Sequence, residues 1–157
     1  MAKLKISLKG RALRYLSMRE HSRIELARKL TRYAEEGDDV DALLDNLEAA
    51  KFLSVERFSE SLVRRRQGRF GNQRILAELQ SHGLERMDID RLKSDLAESE
   101  AGRAIDVLHK KYPVAPLDHI QRAKQIFFLQ QRGFSGKSIQ LAMRSSRHFD
   151  LDMDDEL

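Results

Sequence analysis

Cysteine and tryptophan are absent from this sequence, and proline occurs only twice. The missing cysteine excludes disulfides, thiolate metal sites and a cysteine nucleophile. No stretch approaches the ~20 apolar residues that a membrane-spanning helix needs. The first residues, MAKLKISLKGR, lack an apolar run of signal-peptide length, so the expected location is the cytoplasm. Glycine is also scarce, at 8 of 157 residues, too few for the many turns of an all-β protein. Leu, Arg, Ala, Glu, Lys and Gln fill the space instead, and all are good helix formers.

Apolar residues recur at helical spacing almost throughout. Ala101, Ala104, Ile105, Leu108 and Tyr112 form one stripe, and Val40, Leu43, Leu47 and Ala50 form another. Ser22, Asp39, Ser54, Asn72, Asp88 and Ser135 mark helix starts, because their short side chains accept from free backbone N–H groups. Gly37, Gly68, Gly83 and Gly133 mark helix ends. The pattern predicts nine helices, at about 9–19, 22–35, 39–51, 55–67, 71–82, 88–98, 100–112, 117–132 and 135–147. Pro113 and Pro116 make the one clear break.

The chain also matches itself. A shift of 49 brings Ser22 onto Gly71, Leu26 onto Ile75 and Leu30 onto Leu79. A further 64 brings Phe70 onto Phe134, Gly71 onto Ser135 and Ile75 onto Ile139. The expected fold is therefore all-α: an elongated, curved tandem array of three-helix, helix-turn-helix-like repeats. The first repeat spans 1–53, the second 54–98 and the third 99–149, with an acidic tail at 150–157, expected to be disordered.

One stretch, QQRGFSGKSIQ at 130–140, imitates a phosphate-binding loop through Gly136-Lys137-Ser138. That loop needs an earlier glycine at 131, where Gln131 stands. The equivalent turn of the second repeat, QGRFGNQRI, has no Gly-Lys-Ser. Gly133 and Ser135 instead read as the end of one helix and the cap of the next, with Lys137 projecting into solvent. No histidine pair has the i, i+4 spacing of a helical metal site. The sequence thus predicts no enzyme, no catalytic residue, no metal and no cofactor.

Charge is what stands out. The last eight residues hold five acids. Setting them aside leaves 29 basic against 20 acidic residues, a balance of +9. Residues 64–74, RRRQGRFGNQR, carry five Arg and no acid, and residues 119–149 carry no acid at all. Arg64, Arg65, Arg66, Arg69, Arg74, Lys110, Lys111, Arg132, Lys137 and Arg144 are the candidates for contact with a polyanion, DNA phosphate foremost. The bland alternative is a solvated basic face. Phe70 and Phe134 read as core residues that lock their turns, with base stacking the competing role. The acidic tail is either a solubilising end or a competitor for the basic surface.

The segments REHSRIELARKL, FLSVERFSESLVRRRQGRFGNQRILAELQSHGL and AKQIFFLQQRGFSGKSI, taken together, resemble the RecX family, regulators of the RecA recombinase. Ser54-Val55 departs from the acid that often comes after the Phe-Leu pair in that family, and the acidic tail is not a family hallmark. The resemblance implies a monomeric, non-enzymatic protein that binds the RecA–single-stranded DNA filament. It further implies lowered ATPase, strand-exchange and coprotease activity of RecA in recombination, DNA repair and the SOS response. The residues alone leave a second reading open: a basic helical regulator of duplex DNA that acts without RecA.

Overall fold

The computed structural model describes residues 5–147, and the acidic tail at 150–157 lies outside them. The described chain is all-α, as expected, with eight helices and no strand. They are α1 (Leu8–Met18), α2 (Arg23–Thr31), α3 (Val40–Ala49), α4 (Val55–Arg66), α5 (Asn72–Ser81), α6 (Arg86–Lys111), α7 (His119–Gln131) and α8 (Gly136–Arg144).

The count falls one short of nine because the two helices expected at 88–98 and 100–112 are a single helix of 26 residues. The join, Ser99-Glu100-Ala101-Gly102, contains neither proline nor a left-handed residue. Gly102 stays helical with open space around its Cα, so it weakens the helix without breaking it. Two expected caps are also corrected. Asn72 is the first helical residue of α5, and the residue before it, Gly71, supplies the carbonyl that accepts from Ile75 N–H. Asp88 lies inside the first turn of α6 rather than ahead of it. Ser22, Asp39, Ser54 and Ser135 do cap their helices, joined by Ser7 and Asp118. Ser22 and Glu25 complete a reciprocal capping box.

The chain divides into two compact units. One takes the described residues up to Leu62 with Leu79–Asp88; the other takes Val63–Glu78 with the described residues from Ile89 on. In the first, Ala12, Leu26, Leu30, Leu44, Leu47 and Leu53 form the core. In the second, Ala104, Val107, Leu108, Leu129, Phe134, Ile139 and Ala142 do so. Leu26, Ile75 and Ile139, superposed by the internal repeat, are all buried.

Within the first unit, His21 is 1% exposed. Its Nδ1 faces the Arg19 carbonyl at 3.0 Å and its Nε2 faces Lys29 Nζ at 2.8 Å. Lys29 brings donors only, so a neutral ring that donates from Nδ1 and accepts at Nε2 satisfies both contacts. Burial, with the nearby Arg19 and Lys29 cations, holds this imidazole below its ordinary value of 6.5. A depressed folded-state pKa means that the unfolded chain takes up the proton first, so stability is full above 6.5 and falls as pH drops. Glu25 is held down to about 2 through its Arg19 partner, and its own losses begin only near its ordinary 4.5. Thermal unfolding scanned from pH 7.5 to about 5 should therefore show a falling Tm, and H21Q should flatten that slope. An equal slope in the variant would assign the effect to other groups.

In the second unit the two equivalent turns of the sequence repeat pack on each other. Gly71 N–H donates to Arg132 O at 2.7 Å, and Gln73 N–H donates to Gly133 O at 3.1 Å. A Cβ on Gly71 would lie 2.3 Å from the backbone of Gly133 and Phe134, where nothing can yield cheaply. Gly133 has φ +87° and meets Arg74 Cβ almost as closely, at 2.7 Å from its own would-be Cβ. G71A should cost about 2 kcal/mol or more, whereas G102A on open α6 surface should add roughly 0.5–1 kcal/mol. Urea unfolding midpoints shifted in opposite directions would bear this out; a neutral G71A would refute the close approach.

Candidate polyanion groove

The turn-on-turn contact is fastened by two side chains one turn apart on α6. Glu100 is 4% exposed, and it faces the starts of two helices. One carboxylate oxygen accepts from Asn72 N–H at 2.7 Å, at the head of α5. The other accepts from Ser135 N–H, from the Ser135 hydroxyl and, at 2.7 Å, from the Ser138 hydroxyl, at the head of α8. Burial alone would raise this carboxyl, but the donors from Ser135, Ser138 and Asn72 outweigh it and hold it below the usual carboxylate range. The serine of the Gly-Lys-Ser stretch is thus turned inward to Glu100, while Lys137 is exposed.

Arg103 gathers the preceding turn. Its guanidinium donates to Phe70 O at 2.9 Å, to Gln67 O and Leu96 O at 3.3 Å, and to Asn72 Oδ1. Its Nε donates to Ser99 Oγ at 2.9 Å. The Gln67 and Phe70 carbonyls belong to the turn that follows α4. Burial pushes the Arg103 guanidinium down from its ordinary value, and Glu100 opposes that push.

Glu100 and Arg103 thereby fix the turns that carry Arg69, Phe70 and Arg132. Beside those turns lies a groove of about 290 Å³ with Val107 and Phe128 in its wall and Arg69, Lys110, Lys111 and Arg132 around it. No acidic residue lines it. Lys110 and Lys111 occupy the last turn of α6, where unpaired carbonyls favour cations. Phe70 extends the cluster: the guanidinium carbons of Arg74, Arg132 and Arg69 stand 4.2, 5.4 and 5.6 Å from its ring centroid. Arg132 also stands 5.2 Å from the Phe128 ring. Such contacts hold the guanidiniums in place at about 0.5–1 kcal/mol each while leaving their charge unmatched.

Five of the ten sequence candidates are brought together here: Arg69, Arg74, Lys110, Lys111 and Arg132. Arg66 is not among them, because its guanidinium pairs side-on with Glu78, Nε to Oε2 at 3.0 Å and Nη2 to Oε1 at 2.9 Å. Arg64, Arg65, Lys137 and Arg144 do not line the groove. The two phenylalanines part company: Phe134 is core, at 3% exposed, whereas Phe70 is only half-buried under its arginines. Glu100 and Arg103 escape a search for exposed charge. One pattern does reveal Glu100, which stands in phase with Leu96, Ala104 and Leu108 on the buried stripe of α6.

Comparison with known proteins gives three family models in chain order. The first three-helix domain of RecX matches residues 9–47, the second 56–92 and the third 98–143. The chain belongs to the RecX family. Relatives named "Regulatory protein RecX" are 61% identical in Herminiimonas arsenicoxydans, over 92% of this chain and 96% of that one. In Herbaspirillum seropedicae the identity is 62%, over 90% and 92%. These matches support a RecX regulatory role for the chain. In fold it is similar to a crystal structure of RecX from Lactobacillus salivarius, with a TM-score of 0.70 at 19% identity and 96% of each chain covered. A second, described as a crystal structure of regulatory protein RecX, gives a TM-score of 0.74 at 22% identity, covering 88% of this chain and 72% of that one.

Proposed function

We propose that this RecX-family chain binds the RecA–single-stranded DNA filament and mostly inhibits it, lowering RecA's ATPase, strand-exchange and coprotease activity. The RecA partner is inferred from the family resemblance. The observation that supports polyanion contact is the acid-free groove, where Arg69, Lys110, Lys111 and Arg132 surround Phe128 and Val107. A filament repeats its phosphates and its protein surface, so several weak groove-scale contacts add along it through high local concentration. No residue is assigned a catalytic role: the groove cations screen phosphate and release its condensed counterions.

The deciding experiment is RecA ATPase on single-stranded DNA with rising amounts of this protein. The rate should fall in a dose-dependent way. An unchanged rate at excess protein would overturn the RecA reading, and tight binding to duplex DNA without any RecA effect would replace it with the DNA-only one.

A further inference from the structure

A second cleft of the same unit has no role in that reading. It lies where α6 gives way to α7, encloses about 400 Å³, and is lined among others by Lys111, Tyr112, Val114, Leu117, Lys124 and Gln125. Its walls expose apolar side chains: Val114 is 50% and Leu117 83% exposed. Ile120, outside the lining but on the first turn of α7, is 80% exposed. An apolar patch of this kind beside two lysines is built to be covered by something apolar and acidic. The acid of this stretch, Asp118, is occupied as the cap of α7, accepting from Gln121 N–H at 2.8 Å.

The nearest chain is this protein's own. Arg147, the last described residue, is 1% exposed. Its guanidinium donates to Tyr112 O at 3.1 Å and to Gln125 Oε1, and both residues line the cleft. Arg147 is thus anchored to two residues of the cleft. From there the chain reads HFDLDMDDEL, in which Phe149, Leu151 and Met153 alternate with Asp150, Asp152 and Asp154. In an extended segment that alternation puts apolar side chains on one side and carboxylates on the other. At ~3.3 Å per residue, the five residues 149–153 span roughly 16 Å, ample for one cleft.

We propose that the cleft bounded by Lys111, Leu117 and Lys124 is the docking site for the chain's own acidic segment 148–157. Phe149 and Leu151 cover Val114, Leu117 and Ile120, while the aspartates face Lys111 and Lys124. Lys111 also lines the polyanion groove, so the docked segment competes there with an incoming polyanion. That last consequence rests on the groove reading; the docking itself does not.

The absence of cysteine makes the test direct. The full chain carrying M153C takes a single nitroxide label, and relaxation enhancement of backbone amides reports which residues it approaches. Amides of 111–125 should broaden selectively, and adding K111E and K124E should abolish the effect while leaving the spectrum folded. Selective broadening elsewhere, uniform broadening, or broadening that survives both reversals would overturn the docking. If docking holds, D150N/D152N/D154N should bind oligothymidylate several-fold tighter than the parent chain. Selective broadening without that gain would remove the competition and leave the docking. Failure of all oligothymidylate binding would instead count against the groove.

Discussion

Replacing Glu100 by alanine lowers the free energy of unfolding by about 4 kcal/mol, the expected result of removing a buried acceptor and orphaning its donors. Asn72 N–H, Ser135 N–H and the hydroxyls of Ser135 and Ser138 all point at this one carboxylate. E100Q is the sharper test. It keeps the shape but replaces an acceptor oxygen with an NH₂ that faces donors, and it removes the charge that the starts of α5 and α8 favour. A loss of about 2 kcal/mol is expected. Because the carboxyl is held below its usual range, its stabilising contribution is full above the ordinary 4.5 and is lost as pH falls below it. The stability gap between the parent chain and E100Q should therefore narrow as pH falls below 4.5. Urea unfolding at pH 7 and pH 3 measures both statements, and an E100Q variant as stable as its parent at pH 7 would refute the clamp.

The second large effect is on binding. With Lys110 and Lys111 both changed to alanine, affinity for a single-stranded oligonucleotide should fall on the order of tenfold at physiological salt. The slope of log K against log salt should flatten by roughly 1.4, for two lost contacts on a single strand. R66A is the matched control. Its cation is already balanced by Glu78, so its slope should stay near that of the parent. Fluorescence anisotropy across a salt series measures all three proteins. Equal slopes would show that the groove lysines belong to a solvated face.

The helical class and its repeats were legible because they rest on apolar spacing and short polar caps, both local in sequence. The break expected near Ser99 was not real because periodicity counts apolar positions and is blind to whether a polar interval stays helical. Gly71 was visible as a turn, but its need for glycine was not. That need comes from the backbone of Gly133, 62 positions away, and no local propensity reports such an approach. The same holds for the groove. Its cations were legible one by one, yet only the folded turn selects Arg69, Arg74 and Arg132 around Phe70 and diverts Arg66 to Glu78. Glu100 looked like one more acid on a charged helix. Its position in the Leu96–Ala104–Leu108 phase was the available clue.

The Glu100 clamp also orders events in time. During synthesis Glu100 is made 28 residues after Asn72 but 38 residues before Ser138. In that interval its carboxylate can meet the head of α5 but not that of α8, and it must keep water on its other oxygen. The second unit is thus a structure in waiting until α7 and α8 emerge, with Phe134, Ile139 and Ala142 still to be supplied to its core. A ribosome that stalls between these two points would present a chain whose first core is complete and whose second is open to chaperones and proteases.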